Sequence, residues 1–182
     1  MLGSQTEVAK LTYEDYRQLP DDGKRYEIVE GELYVTPSPS TRHQRVVGEL
    51  FLKLVQFVRE KRLGQVFVAP LDVVLSEYTV VQPDLIFVSE AHRERVREDG
   101  VYGAPDLVVE VVSESTRDRD AGLKKRLYLR SGVVEYWLVD PEEGALTIVR
   151  ADSERTYRGG KIRLVDSLLE GMELDLAALF AQ

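Results

Sequence analysis

The chain has 182 residues, 43% of them hydrophobic and 31% charged, with a formal net charge of −8. That composition is of the ordinary globular kind, long enough to bury a core, and its acidic balance argues against a protein that coats nucleic acid by charge alone. Having no cysteine, the chain excludes disulfides, thiolate zinc sites and a thiol nucleophile, which fits a cytoplasmic location; no window nears transmembrane length, so no membrane partner is expected.

Residues 1–10 read as a loose leader without the basic-then-apolar order of a signal peptide. Residues 11–20 read as a short helix capped by Thr12 and stopped by Pro20, and Asp22-Gly23 marks a turn. Residues 25–37 alternate and then turn near Gly31, which predicts a β-hairpin ended by Pro37 and Pro39. Between Thr41 and Leu63, Val47, Leu50, Phe51, Leu54, Val55 and Val58 keep a helical period. Ser40 or Thr41 caps that helix and Gly64 stops it. His43 sits in its first turn, at the edge of the buried face, and reads either as a satisfied structural histidine or as a group entering a site.

Residues 65–76 and 80–88 predict two or three strands, with Asp72 facing solvent on an outer strand. Residues 89–104 read as a polar connection with one helical turn. Two acids then stand where acid is costly. Asp84 opens an apolar run with Ile86 and Val88 on its face, and Glu110 lies between Val108 and Val112 in another. An ionised carboxylate in a buried strand costs several kcal/mol unless cations, donors or a metal compensate it. If the two strands pair, the carboxylates converge, and such a pair shares a proton or binds a hard divalent cation.

Residues 113–132 predict a helix capped by Ser115 or Thr116, running to about Arg130 and closed by Gly132. Lys124, Leu127, Tyr128 and Ser131 share one face of it. Its bases, among them Arg117, Arg119, Lys125 and Arg126, read as a solvated face or as a basic rim beside an acidic site. The strand 133–140 follows, so strand, helix and strand predict a right-handed crossover. A turn at 141–144, antiparallel strands within 145–152 and 155–167, and a helix over 174–180 complete the chain.

YEIVEGEL (26–33), the His43 helix, QPDLIFV (82–88), PDLVVEVVSEST (105–116), Lys124 with Tyr128, and GVVEYWLVDP (132–141) together resemble the PD-(D/E)XK nuclease superfamily. Within it they resemble the Uma-type family of restriction-endonuclease-like proteins, over roughly residues 11–150. The resemblance implies an α/β fold with an αβββαβ core at 41–140, its mixed sheet flanked by helices. An N-terminal helix and hairpin (1–40) and a C-terminal β extension (141–182) would complete a single endonuclease-like domain. It implies Asp84 and Glu110, with the carbonyl of Val111, as ligands of Mg²⁺, with Mn²⁺ substituting. The superfamily lysine two residues after the acid is Val112 here; the family pattern implies Lys124 in its place, as the group orienting water or stabilising the transition state. Glu27 and His43 match positions the family keeps, as accessory residues. The implied activity is hydrolysis of phosphodiester bonds in nucleic acid, DNA first, by a homodimer. The alternative is a non-catalytic nucleic-acid-binding or assembly module on the same fold.

Other chemistries find less support. G-x-S-x-G, G-x-G-x-x-G and Walker loops are absent. Paired acids also suit a glycosidase, but a single tryptophan offers no aromatic platform for a sugar.

Overall fold

The structure, a computed structural model, describes residues 9–113 and 116–181. Residues 1–8 of the leader and Ser115, one of the two expected helix caps, lie outside the described residues. The short N-terminal helix α1 (Tyr13–Arg17) is held by a capping box between Thr12 and Asp15. Strands β1 (Arg25–Val29) and β2 (Glu32–Thr36) form the expected hairpin. Glu30 and Gly31 stand at φ 55° and 90°, the left-handed pair that a two-residue hairpin turn requires. Helix α2 (Thr41–Lys61) buries Val46, Val47, Leu50, Leu54 and Val58, and Ser40 caps it by accepting the His43 amide.

The chain continues through β3 (Gly64–Val68), β4 (Val73–Ser76), β5 (Thr79–Val81), β6 (Leu85–Ser89), β7 (Val96–Arg97), β8 (Gly100–Tyr102) and β9 (Leu107–Val111). A wide helical turn at Arg119–Lys124 leads into α3 (Lys125–Arg130), with the Lys125 amide bonded five residues back to the Asp120 carbonyl. Then follow β10 (Glu135–Asp140), β11 (Ala145–Val149), β12 (Glu154–Arg158), β13 (Lys161–Arg163), β14 (Glu173–Asp175) and α4 (Leu176–Phe180). Among the described residues no helix is long and apolar enough to cross a membrane.

The central sheet runs β12-β11-β10-β9-β6-β3 and is mixed. Strands β9 and β10 are parallel across α3, as the strand–helix–strand order predicts, while β6 is antiparallel to β9. Read through this sheet alone, the order is α2, β3, β6, β9, α3, β10, the expected αβββαβ core. Alternation divides its faces. Leu85, Phe87, Leu107, Val109, Val111, Trp137 and Val139 pack with α2, β14 and α4. Ile86, Val88, Val108 and Tyr136 pack with α3 and a second sheet.

That second sheet exceeds the expected hairpin. It has six strands in the order β2-β1-β5-β4-β8-β7. Part of it comes from the stretch expected as a polar connection. Val96 pairs with Val101 and Arg97 with Gly100 across a tight turn, strands too short to show an alternating pattern in the sequence. Asp72 differs from expectation as well. It is half-buried and accepts the Tyr16 hydroxyl at 2.6 Å and the Gln82 amide at 2.8 Å, because α1 covers the strand beside it.

Candidate active site

Strands β6 and β9 set the site. Leu85 pairs with Val109, so the next step outward places Asp84 beside Glu110, on the face that meets the second sheet. Asp84 is 6% exposed and Glu110 4%. Asp84 Oδ2 accepts the Val111 amide at 2.9 Å and meets His43 Nε2 at 3.1 Å. Glu110 Oε1 accepts Lys124 Nζ at 3.0 Å and the Tyr128 hydroxyl at 2.7 Å. The i, i+4 spacing of Lys124 and Tyr128 thus delivers both donors to one oxygen.

The opposite wall comes from β1. Arg25, Glu27 and Val29 share a face by alternation, and Val29 packs against the central sheet. Glu27 is fully buried and accepts Lys124 Nζ at 2.8 Å and the Gln82 amide at 2.9 Å on Oε1. Asp120, one turn before Lys124, lies 4.0 Å from its ammonium. Asp84, Glu110, Val111 and Lys124 therefore line one cavity of about 490 Å³ with His43 and Asp120, and Glu27 stands behind Lys124. The expected site residues Asp84, Glu110, Val111, Lys124, His43 and Glu27 are thus neighbours, while Asp72 lies elsewhere, with Tyr16 and Gln82. Arg119 stands at the cavity as one of the bases read as a solvated face or a basic rim, and Asp120 and Arg25 join unannounced. For Asp120 the one available signal was its i−4 offset from Lys124.

Three carboxylates around one ammonium cannot all be stabilised equally. Burial, opposed by Lys124 and reinforced by Asp120, Asp84 and Glu27, pushes the Glu110 carboxyl up to about 8. Burial also works against Glu27, yet Lys124, the Gln82 amide and Arg119 hold it below the ordinary glutamate value. Burial raises the Asp120 carboxyl despite Lys124. Burial opposes charge on Lys124, but Glu110, Glu27 and Asp120 outweigh it and keep it protonated. The His43 imidazole is likewise disfavoured by burial and raised overall by its bond to Asp84 and by the charges of Asp84 and Glu110.

Among the described residues no three His, Asp or Glu side chains close into a metal cage. The donor set suits a cation that keeps its own waters. Among the described residues, the hydrogen bonds of the acid pair fall on Asp84 Oδ2 and Glu110 Oε1. That leaves one oxygen of each carboxylate for a ligand, the nearest cation to Asp84 Oδ1 being Arg25 at 3.8 Å. Two hard carboxylate oxygens suit a hard divalent cation, whose binding would release the proton that Glu110 keeps without it.

The fold is similar to that in a crystal structure described as "a putative nuclease belonging to DUF820 from Anabaena variabilis", with a TM-score of 0.80 at 19% identity. The match covers 94% of this chain and 98% of that one. No curated protein matches the chain. The Uma2 family model, described as "Putative restriction endonuclease", matches residues 13–177, so the chain belongs to the Uma2 family.

Proposed function

We propose that the chain is a metal-dependent nuclease that hydrolyses phosphodiester bonds of nucleic acid, DNA first. One observation carries the reading: Asp84 and Glu110 stand side by side, nearly buried, with an oxygen each open to a cavity and a buried Lys124 at 3.0 Å from Glu110. The family's description and the fold it shares support it. Asp84, Glu110 and the Val111 carbonyl would hold the cation. When bound, a divalent cation lowers the pKa of water and offsets charge on the phosphoryl oxygens.

The rest of the chemistry belongs to the chain. His43 and the Val111 amide fix the Asp84 carboxylate, so its free oxygen faces the cavity. Glu27 and Tyr128 fix Lys124 and Glu110 in the same way. Lys124 supplies a permanent positive charge next to the attacked phosphorus, where negative charge builds on the phosphoryl oxygens. Water adds to phosphorus, one P–O ester bond breaks, and the departing oxygen takes a proton. Cutting both strands of a duplex would call for two copies of the chain, the homodimer expected from the resemblance.

The test is calorimetric titration of Mn²⁺ into wild type, Asp84→Ala and Glu110→Ala, paired with a plasmid-cleavage assay. Binding lost in both variants, with metal-dependent cleavage by wild type, is the expected result. Unchanged Mn²⁺ affinity in both folded variants would sink the metal assignment. Binding without cleavage of any nucleic acid would leave the non-catalytic module instead.

A further inference from the structure

The cavity holds donors that the carboxylates do not use. Arg25 and Thr36 are direct partners across β1 and β2, so their side chains leave one face of the hairpin together, and both line the cavity. Arg25 is anchored by an Nη2 bond to the Gln82 carbonyl, and its Nη1 lies 3.8 Å from Asp84 Oδ1. Its Nε is buried with no hydrogen-bond partner, and so is the Thr36 hydroxyl. Arg119 lines the cavity at the Glu27 and Asp120 end. Its two ion-pair contacts are long, 3.8 Å to Glu27 and 4.0 Å to Asp120. Its Nε too is buried without a partner, and its guanidinium lies 5.5 Å over the Tyr34 ring.

Buried donors without acceptors are rare because desolvating them goes uncompensated. Here these three occur on one cavity, beside His43 Nδ1, which also has no partner. For Arg25 the nearest acid, Asp84, already has His43 at 3.1 Å. For Arg119 the nearest acid oxygens, Glu27 Oε2 and Asp120 Oδ1, are also without a hydrogen-bond partner but stand 3.8 and 4.0 Å away, beyond hydrogen-bond reach. The group that satisfies such donors carries several acceptor oxygens and negative charge. A guanidinium fork matches a phosphate in that way. The chain's net charge of −8 repels a polyanion at long range, so local cations must hold it at the site.

We propose that Arg25 with Thr36, and Arg119, form two phosphate-holding subsites flanking the Asp84–Glu110 pair, at which successive backbone phosphates of a nucleic acid strand are seated. This rests on the nuclease reading for its ligand class, but not on metal binding or turnover. The contacts are to phosphate, so they position the strand without reading its sequence. Arg25 and Arg119 are positioning residues.

The experiment is fluorescence anisotropy of a short labelled single strand and its duplex with wild type, Arg25→Gln and Arg119→Gln, in EDTA and again with Ca²⁺, across a salt series. Each substitution is expected to weaken binding roughly tenfold or more. Each should also reduce the steepness of log affinity against log salt by about one for duplex. Manganese affinity, read by calorimetry, should not fall in either variant, since each removes a positive charge from beside the acids. Should a glutamine variant fail to melt cooperatively, Arg25→Lys or Arg119→Lys takes its place, which retains the charge and loses the fork; binding is again expected to weaken. Wild-type binding that depends on both arginines supports the subsites even if no cleavage is ever seen. Cleavage by wild type with oligonucleotide affinity and salt slope unchanged in both folded variants overturns the subsites alone, as does wild type that binds neither probe.

Discussion

Glu110 gathers opposing forces on one side chain. Its neighbours along the strand are Val109 and Val111, its neighbours on the same face are Val108 and Val112, and its charge partner is shared with Glu27 and Asp120. With its carboxyl pushed up to about 8, the folded protein keeps a proton there that the unfolded chain, at an ordinary 4.5, has released. The native state therefore binds more protons between those two values, and stability falls as pH rises through that window. The expected slope is up to ~1.4 kcal/mol per pH unit in metal-free protein. Glu110→Gln should lose that slope. Urea unfolding in EDTA at several pH values inside the window reads it, and parallel slopes in the two proteins would show that Glu110 holds no proton.

Strand β10 shows how a single element ties distant segments together. Glu135 is fully buried at its start and accepts Trp137 Nε1 and Ser167 Oγ at 2.7 Å each, and the Leu168 amide at 2.9 Å. Two side-chain oxygens thus hold the segment after β13 against the central sheet by charge-assisted bonds. Glu135→Gln keeps the shape but replaces one acceptor with a donor, which leaves at least one of these buried groups unsatisfied. The expected loss is ~1–3 kcal/mol in urea unfolding. Hydrogen exchange should quicken at the Leu168 amide before it does in β10. An unchanged unfolding midpoint would mean the carboxylate is not needed to hold that segment.

At the scale of the whole molecule, the central sheet is a shared middle layer. One face meets α3 and the second sheet, which enclose the site; the other meets α2, β14 and α4. Residues after β12 place Leu164, Leu169, Met172, Leu174, Leu176 and Leu179 in the α2-side core, all buried. At ~1.5–3 kcal/mol for each such side chain, their burial rivals the ~5–15 kcal/mol net stability of a typical domain. A chain ending at Arg158 should therefore lose its cooperative urea transition, followed by circular dichroism. A truncated chain that still melts as sharply as the full one would show that the residues after β12 are dispensable to the layer opposite the site.

The sequence by itself determined what is local. Alternation decided that Glu110 shares a face with Val108 and Val112, and helical spacing decided that Lys124 and Tyr128 point the same way. The resemblance carried by the ordered motifs implied the αβββαβ core, and the convergence of Asp84 with Glu110 was conditional on their strands pairing, which the register of β6 against β9 supplies. The tertiary structure decided what those faces meet. Glu27 and Lys124 stand 97 residues apart in the chain and 2.8 Å apart in space. Arg25 and Arg119 reach the cavity because β1 pairs with β5 and the helical turn before α3 folds over the hairpin. Short strands such as β7 and β8 carry too few residues to show a period, so the extension of the hairpin into a six-stranded sheet could not be read in advance. A residue's own sequence neighbours fix the direction of its side chain. The element opposite it is selected by the packing of the whole core, which no local pattern encodes.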